Sequence, residues 1–83
     1  MNKLKSYRKG IDLIDKNIIK LLSQRFKLAK QIGDYKKKNG LKIVDKEREL
    51  QVINNIKKYS NEHKKFIINI FKNIINYSKR IQK

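Results

Sequence analysis

Hydrophobic residues in the first half of the chain recur at alternating steps of three and four. The pattern continues without a slip over almost five heptads, through Leu4, Tyr7, Ile11, Ile14, Ile18, Leu21, Arg25, Leu28, Ile32 and Tyr35. Such spacing places these side chains along one stripe of an α-helix, here called the heptad seam. The pair Asn39-Gly40 should end the helix, because glycine readily adopts the left-handed conformation found at helix ends. The pattern therefore predicts one long helix over Lys3–Lys38.

Two shorter amphipathic segments follow the long helix. Asp45 is a suitable N-cap for a second helix that ends near Tyr59 and has Leu50, Ile53 and Ile56 on its inner face. A third helix is predicted to follow Ser60 or Asn61. Its apolar stripe consists of Ile67, Ile70 or Phe71, Ile74, Ser78, and Ile81 or Gln82. The predicted fold class is all-α, with three helices of very unequal length in a single domain over residues 1–83.

The length of the first helix predicts that the protein is a dimer. A helix over Lys3–Lys38 is about 53 Å long, whereas a compact globule of this chain length has a radius of gyration of only about 12 Å. Two short helices cannot cover so long an apolar stripe. A second copy can, and twofold dimers are the commonest symmetric assembly. We therefore expect an intertwined homodimer in which the long helices run antiparallel.

The composition narrows the range of functions. The 83 residues carry a formal net charge of +16, which invites a nucleic-acid interpretation. The lysines are scattered, however, and aromatic residues do not interleave with them as a stacking platform requires. The chain has no cysteine, and it has no apolar run of membrane-spanning length. We expect a cytoplasmic protein that binds neither nucleic acid nor membrane.

Polar residues occupy stripes that otherwise look buried in all three helices. Arg25 and Lys36 share one face of helix 1, Glu49 lies in line with the apolar residues of helix 2, and Ser78 and Gln82 lie one turn apart on helix 3. An unpaired buried charge costs several kcal/mol, so such groups should be paired or should contact a ligand. One structural alternative is an ion pair between Arg25 and Glu49.

The ordered set of these residues resembles a known family, the all-α (type II) chorismate mutases. The resemblance runs from about Tyr7 to the C-terminus. Its motif residues are Arg8 and Asp15, Arg25 and Ala29, Gly33 and Lys36, Asp45 with Arg48 and Glu49, and Ser78 and Gln82. An Asp-x-x-Arg-Glu at a helix start is common by chance, but the whole set in this order is specific.

The resemblance implies a Claisen rearrangement of chorismate to prephenate, a step of phenylalanine and tyrosine biosynthesis. The reaction is pericyclic and needs no cofactor, metal ion or covalent intermediate. Catalysis must fold a flexible dianion into its reactive conformation and place hydrogen-bond donors on the ether oxygen, which gains negative charge. The positions that match the family's active site are Arg8, Arg25, Lys36, Asp45, Arg48, Glu49, Ser78 and Gln82.

The resemblance also implies a role for each of these side chains. Arg25 and Arg8 would each bind one substrate carboxylate, and Lys36 and Gln82 would donate to the ether oxygen. The ring hydroxyl would donate to Glu49, helped by Asp45, while Arg48 and Ser78 would complete the carboxylate and hydroxyl surroundings. Arg8 and Arg25 are separated by about 25 Å along one helix. Arg8 is therefore expected to reach the site from the second subunit.

Several alternatives remain open at the level of sequence. Within the same fold, an isochorismate-pyruvate lyase is possible, although such relatives lack the acidic pair found here as Asp45 and Glu49. A basic helical module that binds nucleic acid or serves in dimerisation is a non-enzymatic alternative. Individual residues also have structural interpretations: Asp45 as a helix cap, Arg48 as its surface partner, and His63 as plain surface.

Overall fold

The computed structural model describes residues 2–83, and every regular element in that range is a helix. Helix α1 covers Lys3–Lys38, α2 covers Lys46–Tyr59 and α3 covers Lys64–Gln82. The prediction of an all-α chain with one long and two shorter helices is confirmed.

Helix α1 begins and ends where the hydrophobic pattern predicted. At its start the side chain of Asn2 accepts a hydrogen bond from the backbone N–H of Leu4 at 3.0 Å. At its end Gly40 has a φ of 66°, a conformation that glycine adopts without a steric penalty. The chain can therefore reverse immediately after the helix, which places the segment leading to α2 beside the last turn of α1.

Helix α2 is capped by Asp45, as predicted. The carboxylate of Asp45 accepts a hydrogen bond from the backbone N–H of Arg48 at 3.0 Å. Ile56 is the buried residue of this helix, and Ile53 is half-buried. The prediction that Leu50 lies on the inner face is wrong for the single chain, because its side chain is 64% exposed.

Helix α3 begins three residues later than the earliest predicted start. A turn precedes it, and His63 has a φ of 59° in the left-handed region, where it occupies the N-cap position without a capping side-chain hydrogen bond. His63 is exposed, as expected.

The predicted stripe of α3 is largely the face that the helix buries, since Ser78 is buried and Ile67, Phe71, Ile74, Ile81 and Gln82 are half-buried. Of the alternatives Ile70 and Phe71, Phe71 is the inner residue, because Ile70 is 41% exposed. Ile75, which the predicted stripe did not include, is the most buried apolar residue of α3.

Helix α3 packs against both of the other helices and holds the fold together. Besides Ile75 of α3, the buried apolar residues within residues 2–83 are Ala29 on α1 and Ile56 on α2. Phe26 and Tyr77 also join α1 to α3 through an edge-to-face ring contact with centroids 4.8 Å apart. These contacts fix the C-terminal half of α1 beside the end of α3.

The N-terminal half of α1 projects beyond the other two helices. The molecule measures 60 × 23 × 15 Å and has a radius of gyration of 16.3 Å, larger than that of a compact globule of this length. Along the projecting helix the heptad seam faces solvent, with Tyr7 68% and Leu21 63% exposed. A row of exposed apolar residues of this kind is unusual on a monomeric protein.

Residues 2–83 contain neither a membrane-spanning helix nor a cluster of potential metal ligands. In this part of the chain, none of the helices combines the length and the apolar character needed to cross a membrane. The same residues contain no group of three or more His, Cys, Asp or Glu side chains arranged to hold a metal ion.

Candidate active site

A cavity of about 280 Å³ lies where the C-terminal half of α1, the start of α2 and the end of α3 meet. Its walls are partly apolar, with Leu28, Ile32 and Val52 among the lining residues. Seven of the eight residues singled out in the sequence also line it: Arg25, Lys36, Asp45, Arg48, Glu49, Ser78 and Gln82. The fold therefore brings together residues that lie up to 57 positions apart in the sequence.

Arg25 interrupts the heptad seam because it turns into this cavity. Its Nη1 donates to the hydroxyl oxygen of Ser78 at 2.8 Å. Ser78 is buried, and its own hydroxyl donates to the backbone carbonyl of Ile74 at 2.8 Å. The serine therefore holds one arm of the guanidinium in place, and the remaining N–H groups are free to bind a planar anion.

Lys36 is held between the loop before α2 and the end of α3. Its ammonium donates to the backbone carbonyl of Ile43 at 2.8 Å and to Oε1 of Gln82 at 3.1 Å. An ammonium has three N–H groups, so these two bonds leave one donor for a ligand. Because Oε1 of Gln82 accepts from Lys36, the amide N–H groups of Gln82 are also available as donors.

The first turn of α2 and its N-cap residue contribute two acidic groups and one arginine to the cavity. Asp45 caps the helix and also faces the cavity, so its structural and functional interpretations are compatible. Arg48 is exposed at the rim and donates to the side chain of Gln51 at 3.3 Å. The alternative of a side-chain pair between Arg48 and Asp45 is wrong, because only the backbone N–H of Arg48 bonds the Asp45 carboxylate.

The structural alternative of an Arg25–Glu49 ion pair is wrong. Glu49 instead pairs with Lys79, whose Nζ lies 3.3 Å from Oε1 of the carboxylate, and both side chains are 30% exposed. Sequence reasoning missed Lys79 as a residue of the cavity. Its position one residue after Ser78 could have indicated it, but the chain has 23 lysines and arginines and gives no other signal.

Arg8 is the one predicted residue that does not line the cavity. It lies on the exposed, projecting part of α1, 17 residues before Arg25. At the rise of an α-helix this separation is about 25 Å, which two arginine side chains of one helix cannot close. Within a single chain, therefore, the set of eight residues is incomplete.

Positive charge dominates the cavity. Arg25, Lys36, Arg48 and Lys79 face only two carboxylates, those of Asp45 and Glu49. Burial lowers the pKa of Arg25, and the nearby positive charge of Arg48 lowers it further. Both effects disfavour the guanidinium cation when no counter-ion is present. An anion placed between Arg25 and Arg48 would relieve this repulsion, so the cavity is suited to an anionic ligand.

Comparison with known proteins identifies the family. Residues 7–83 match the chorismate mutase type II family, which is nearly the whole chain. The chain belongs to this family. The sequence-based resemblance is confirmed over the same range, and the protein is a chorismate mutase, an isomerase.

Relatives support the assignment along the full chain. The chorismate mutase of Methanocaldococcus jannaschii is 38% identical over 86 aligned positions, which cover 100% of this chain and 87% of the relative. The bifunctional chorismate mutase/prephenate dehydratase of Aquifex aeolicus is 45% identical over 62 positions, 75% of this chain but 17% of the relative. A solved structure of a conserved hypothetical protein from Pyrococcus furiosus superimposes with a TM-score of 0.84 at 36% identity, covering 100% and 99% of the two chains.

The pairing of Lys79 with Glu49 can be tested by removing the positive charge alone. We expect Lys79→Met to lower kcat/KM on the order of tenfold, or about 1.4 kcal/mol, because Glu49 loses a charged hydrogen-bond partner that orients it. Steady-state chorismate mutase kinetics measure the change. Lys72→Met is the matched control, since Lys72 is an exposed residue two turns earlier on α3 that does not line this cavity. Equal kinetics for both variants would show that Lys79 does not orient Glu49.

Proposed function

We propose that this cavity, completed by Arg8 of a second copy of the chain, converts chorismate to prephenate. The observation that carries the proposal is the convergence of Arg25, Lys36 and Arg48 on one partly apolar cavity. Chorismate is a dianion with an apolar ring, and such a cavity fits both features. The pKa of Arg25 is lowered first by burial and then by repulsion from Arg48, and binding of the dianion would offset both effects.

In this proposal the two carboxylates of chorismate are bound by the two arginines of the heptad-seam helices. Arg25 of one copy presents its planar guanidinium, already held by Ser78, to one carboxylate. Arg8 of the second copy binds the other, and Arg48 at the rim adds a further positive charge. Holding both carboxylates restricts the flexible substrate to its folded, reactive conformation, which lowers the entropic part of the barrier.

The chemical step is then assisted by two donors, Lys36 near the end of α1 and Gln82 at the end of α3. The ether C–O bond breaks as the new C–C bond forms, and the ether oxygen gains negative charge in the transition state. The free N–H of Lys36 and the amide N–H of Gln82 would both donate to that oxygen. On the opposite side, the substrate hydroxyl would donate to Glu49, while Asp45 helps to orient it.

The exposed heptad seam supports assembly into an antiparallel homodimer. Leu4, Tyr7, Ile11, Ile14 and Ile18 are each about half or more exposed in the single chain. Their regular spacing suits packing against the heptad seam of a second long helix. In an antiparallel pair the N-terminal part of one helix lies beside the middle of the other, which would place Arg8 near Arg25 of the partner helix.

The direct test of the proposal is an absorbance assay that follows the loss of chorismate with the purified chain. Product analysis then distinguishes the two reactions that this fold supports. Prephenate as the product agrees with the proposal, whereas salicylate and pyruvate would assign the chain to the isochorismate-pyruvate lyases. No turnover, together with binding to DNA that weakens steeply with salt, would favour the basic nucleic-acid-binding module instead.

A second prediction concerns the protonation of residue 82. Gln82→Glu should be active only when the new carboxyl is protonated, because an ionised carboxylate accepts hydrogen bonds but cannot donate one to the ether oxygen. Activity should therefore rise as the pH falls. The measurement is kcat as a function of pH. Gln24→Glu is the control, because Gln24 is exposed and lies outside the cavity, and it should keep the wild-type pH profile. Wild-type activity of Gln82→Glu at neutral pH would remove Gln82 from the proposed mechanism.

A further inference from the structure

Two glycines lie inside α1, in very different surroundings. Glycine in a helix interior costs about 1 kcal/mol relative to alanine, so each position calls for an explanation. At Gly10 an added Cβ would meet nothing within 4 Å. At Gly33 it would lie 2.6 Å from Cα of Gln82 and 2.9 Å from both Cβ and the carbonyl oxygen of Gln82. Carbon atoms pack best at about 3.5–4.0 Å, so only glycine fits at position 33.

The atoms that crowd Gly33 are mainly backbone atoms, which cannot turn aside as the tip of a long side chain can. They also belong to one functional residue. Gln82 is the same residue whose Oε1 accepts the hydrogen bond from Lys36 at 3.1 Å, and Lys36 lies three positions after Gly33. Helix α1 therefore contacts Gln82 at two points, through Gly33 at its backbone and through Lys36 at its side chain.

We infer that Gly33 is a positioning residue for the rearrangement. By allowing the backbone of α1 to touch the backbone of Gln82, it sets where the Gln82 amide lies relative to the Lys36 ammonium. Two donors can share one oxygen atom only if both lie within hydrogen-bond reach of it. The inference rests on the proposed function for its catalytic consequence, but the placement of the amide is a separate physical claim that can be tested by itself.

The geometry sets the size of the expected effect. To accept a methyl group at position 33, the end of α3 must move away by about 1 Å. Misplacing a catalytic group by about 1 Å can cost on the order of a hundredfold in rate. The charge on the ether oxygen develops in the transition state, so the loss should appear in kcat, while KM changes by less than about threefold.

A double-mutant cycle distinguishes positioning from a general effect on the structure. Alanine at position 82 keeps the Cα, Cβ and carbonyl oxygen that crowd Gly33, and it lacks only the amide. Gly33→Ala should therefore lower kcat on the order of a hundredfold in the wild-type background, and by less than about threefold in the Gln82→Ala background. An equal loss of kcat in both backgrounds would overturn the inference. Gly10→Ala, the matched control, should leave kcat unchanged.

The placement of the amide can be read without any turnover, by nuclear magnetic resonance. The side-chain NH₂ signals of Gln82 are assigned by their disappearance in Gln82→Ala. They should shift in Gly33→Ala and stay in place in Gly10→Ala. If the wild-type chain did not rearrange chorismate, the proposed function would fail, and these signals would still decide whether Gly33 positions Gln82. Unmoved Gln82 signals in Gly33→Ala would overturn the inference.

A folding failure of Gly33→Ala is also informative. In that case Gln82→Gly is added, which removes the contacted Cβ and frees the end of α3 to unwind away from the new methyl group. Circular dichroism should then show that the double variant folds, because the three atoms nearest the added Cβ all belong to residue 82. A double variant that stays unfolded, when Gln82→Gly alone folds, would show that Gly33 is needed for contacts elsewhere and would overturn the inference.

Discussion

Mixing the Arg8→Ala and Arg25→Ala variants should restore activity that neither variant has alone. In the proposed dimer each site takes Arg25 from one copy and Arg8 from the other. Either variant by itself lacks one carboxylate ligand in every site and should be nearly inactive. A mixed dimer would contain one site with both arginines replaced and one site with both arginines intact. With random pairing half of the dimers are mixed, so activity should recover to about a quarter of wild type.

The experiment requires co-refolding, so that subunits exchange, and native mass spectrometry to count the mixed dimers. The mixture of Arg8→Ala with wild type serves as a reference for the loss caused by one damaged site per dimer. Lys9→Ala, which removes the neighbouring positive charge on α1, should retain wild-type activity. Mixed dimers present at the expected fraction but without activity would disprove a site shared between subunits.

Lys36→Ala should produce the second large effect. The proposed mechanism gives Lys36 a donor role at the ether oxygen, where negative charge appears as the bond breaks. By comparison with the loss of an oxyanion donor in other enzymes, kcat should fall by about 10²- to 10³-fold, or on the order of 3 kcal/mol or more. KM should change much less, because the ether oxygen of the bound substrate carries little charge before the bond breaks.

The measurement separates catalysis from support of the fold. Lys36 also binds the carbonyl of Ile43, so the melting temperature of Lys36→Ala should be recorded beside its kinetics. Lys38→Ala is the matched control, since Lys38 is an exposed residue in the same turn of α1 that does not line the cavity. A large rise in KM with kcat preserved would assign Lys36 to substrate binding.

Local rules predicted much of the fold from the sequence. The bounds of α1 followed from an unbroken heptad spacing and from one glycine that can adopt a positive φ at Gly40. The start of α2 followed from a single side chain, since the carboxylate of Asp45 caps the helix. In both cases the helix boundary is set by an interaction between residues only a few positions apart. Their spacing in the sequence therefore determines how they are placed on the helix.

The features that sequence could not predict depend on contacts between helices and on the turn before α3. His63 adopts a left-handed conformation with a φ of 59°, and α3 begins after it, at Lys64. Ile75 is buried beside the predicted stripe, and Lys79 of α3 pairs with Glu49 of α2. Both outcomes depend on how two helices pack against each other, which no local pattern along a lysine-rich chain specifies.

The small core of the single chain has a consequence for its folding. Only Ala29, Ile56 and Ile75 are buried apolar residues within residues 2–83. The apolar residues on the projecting half of α1 are exposed to solvent. In the proposed dimer, most of the apolar surface that stabilises the native state would be buried between copies. Folding and association would then be a single bimolecular equilibrium. The folded fraction would therefore increase with the concentration of the chain.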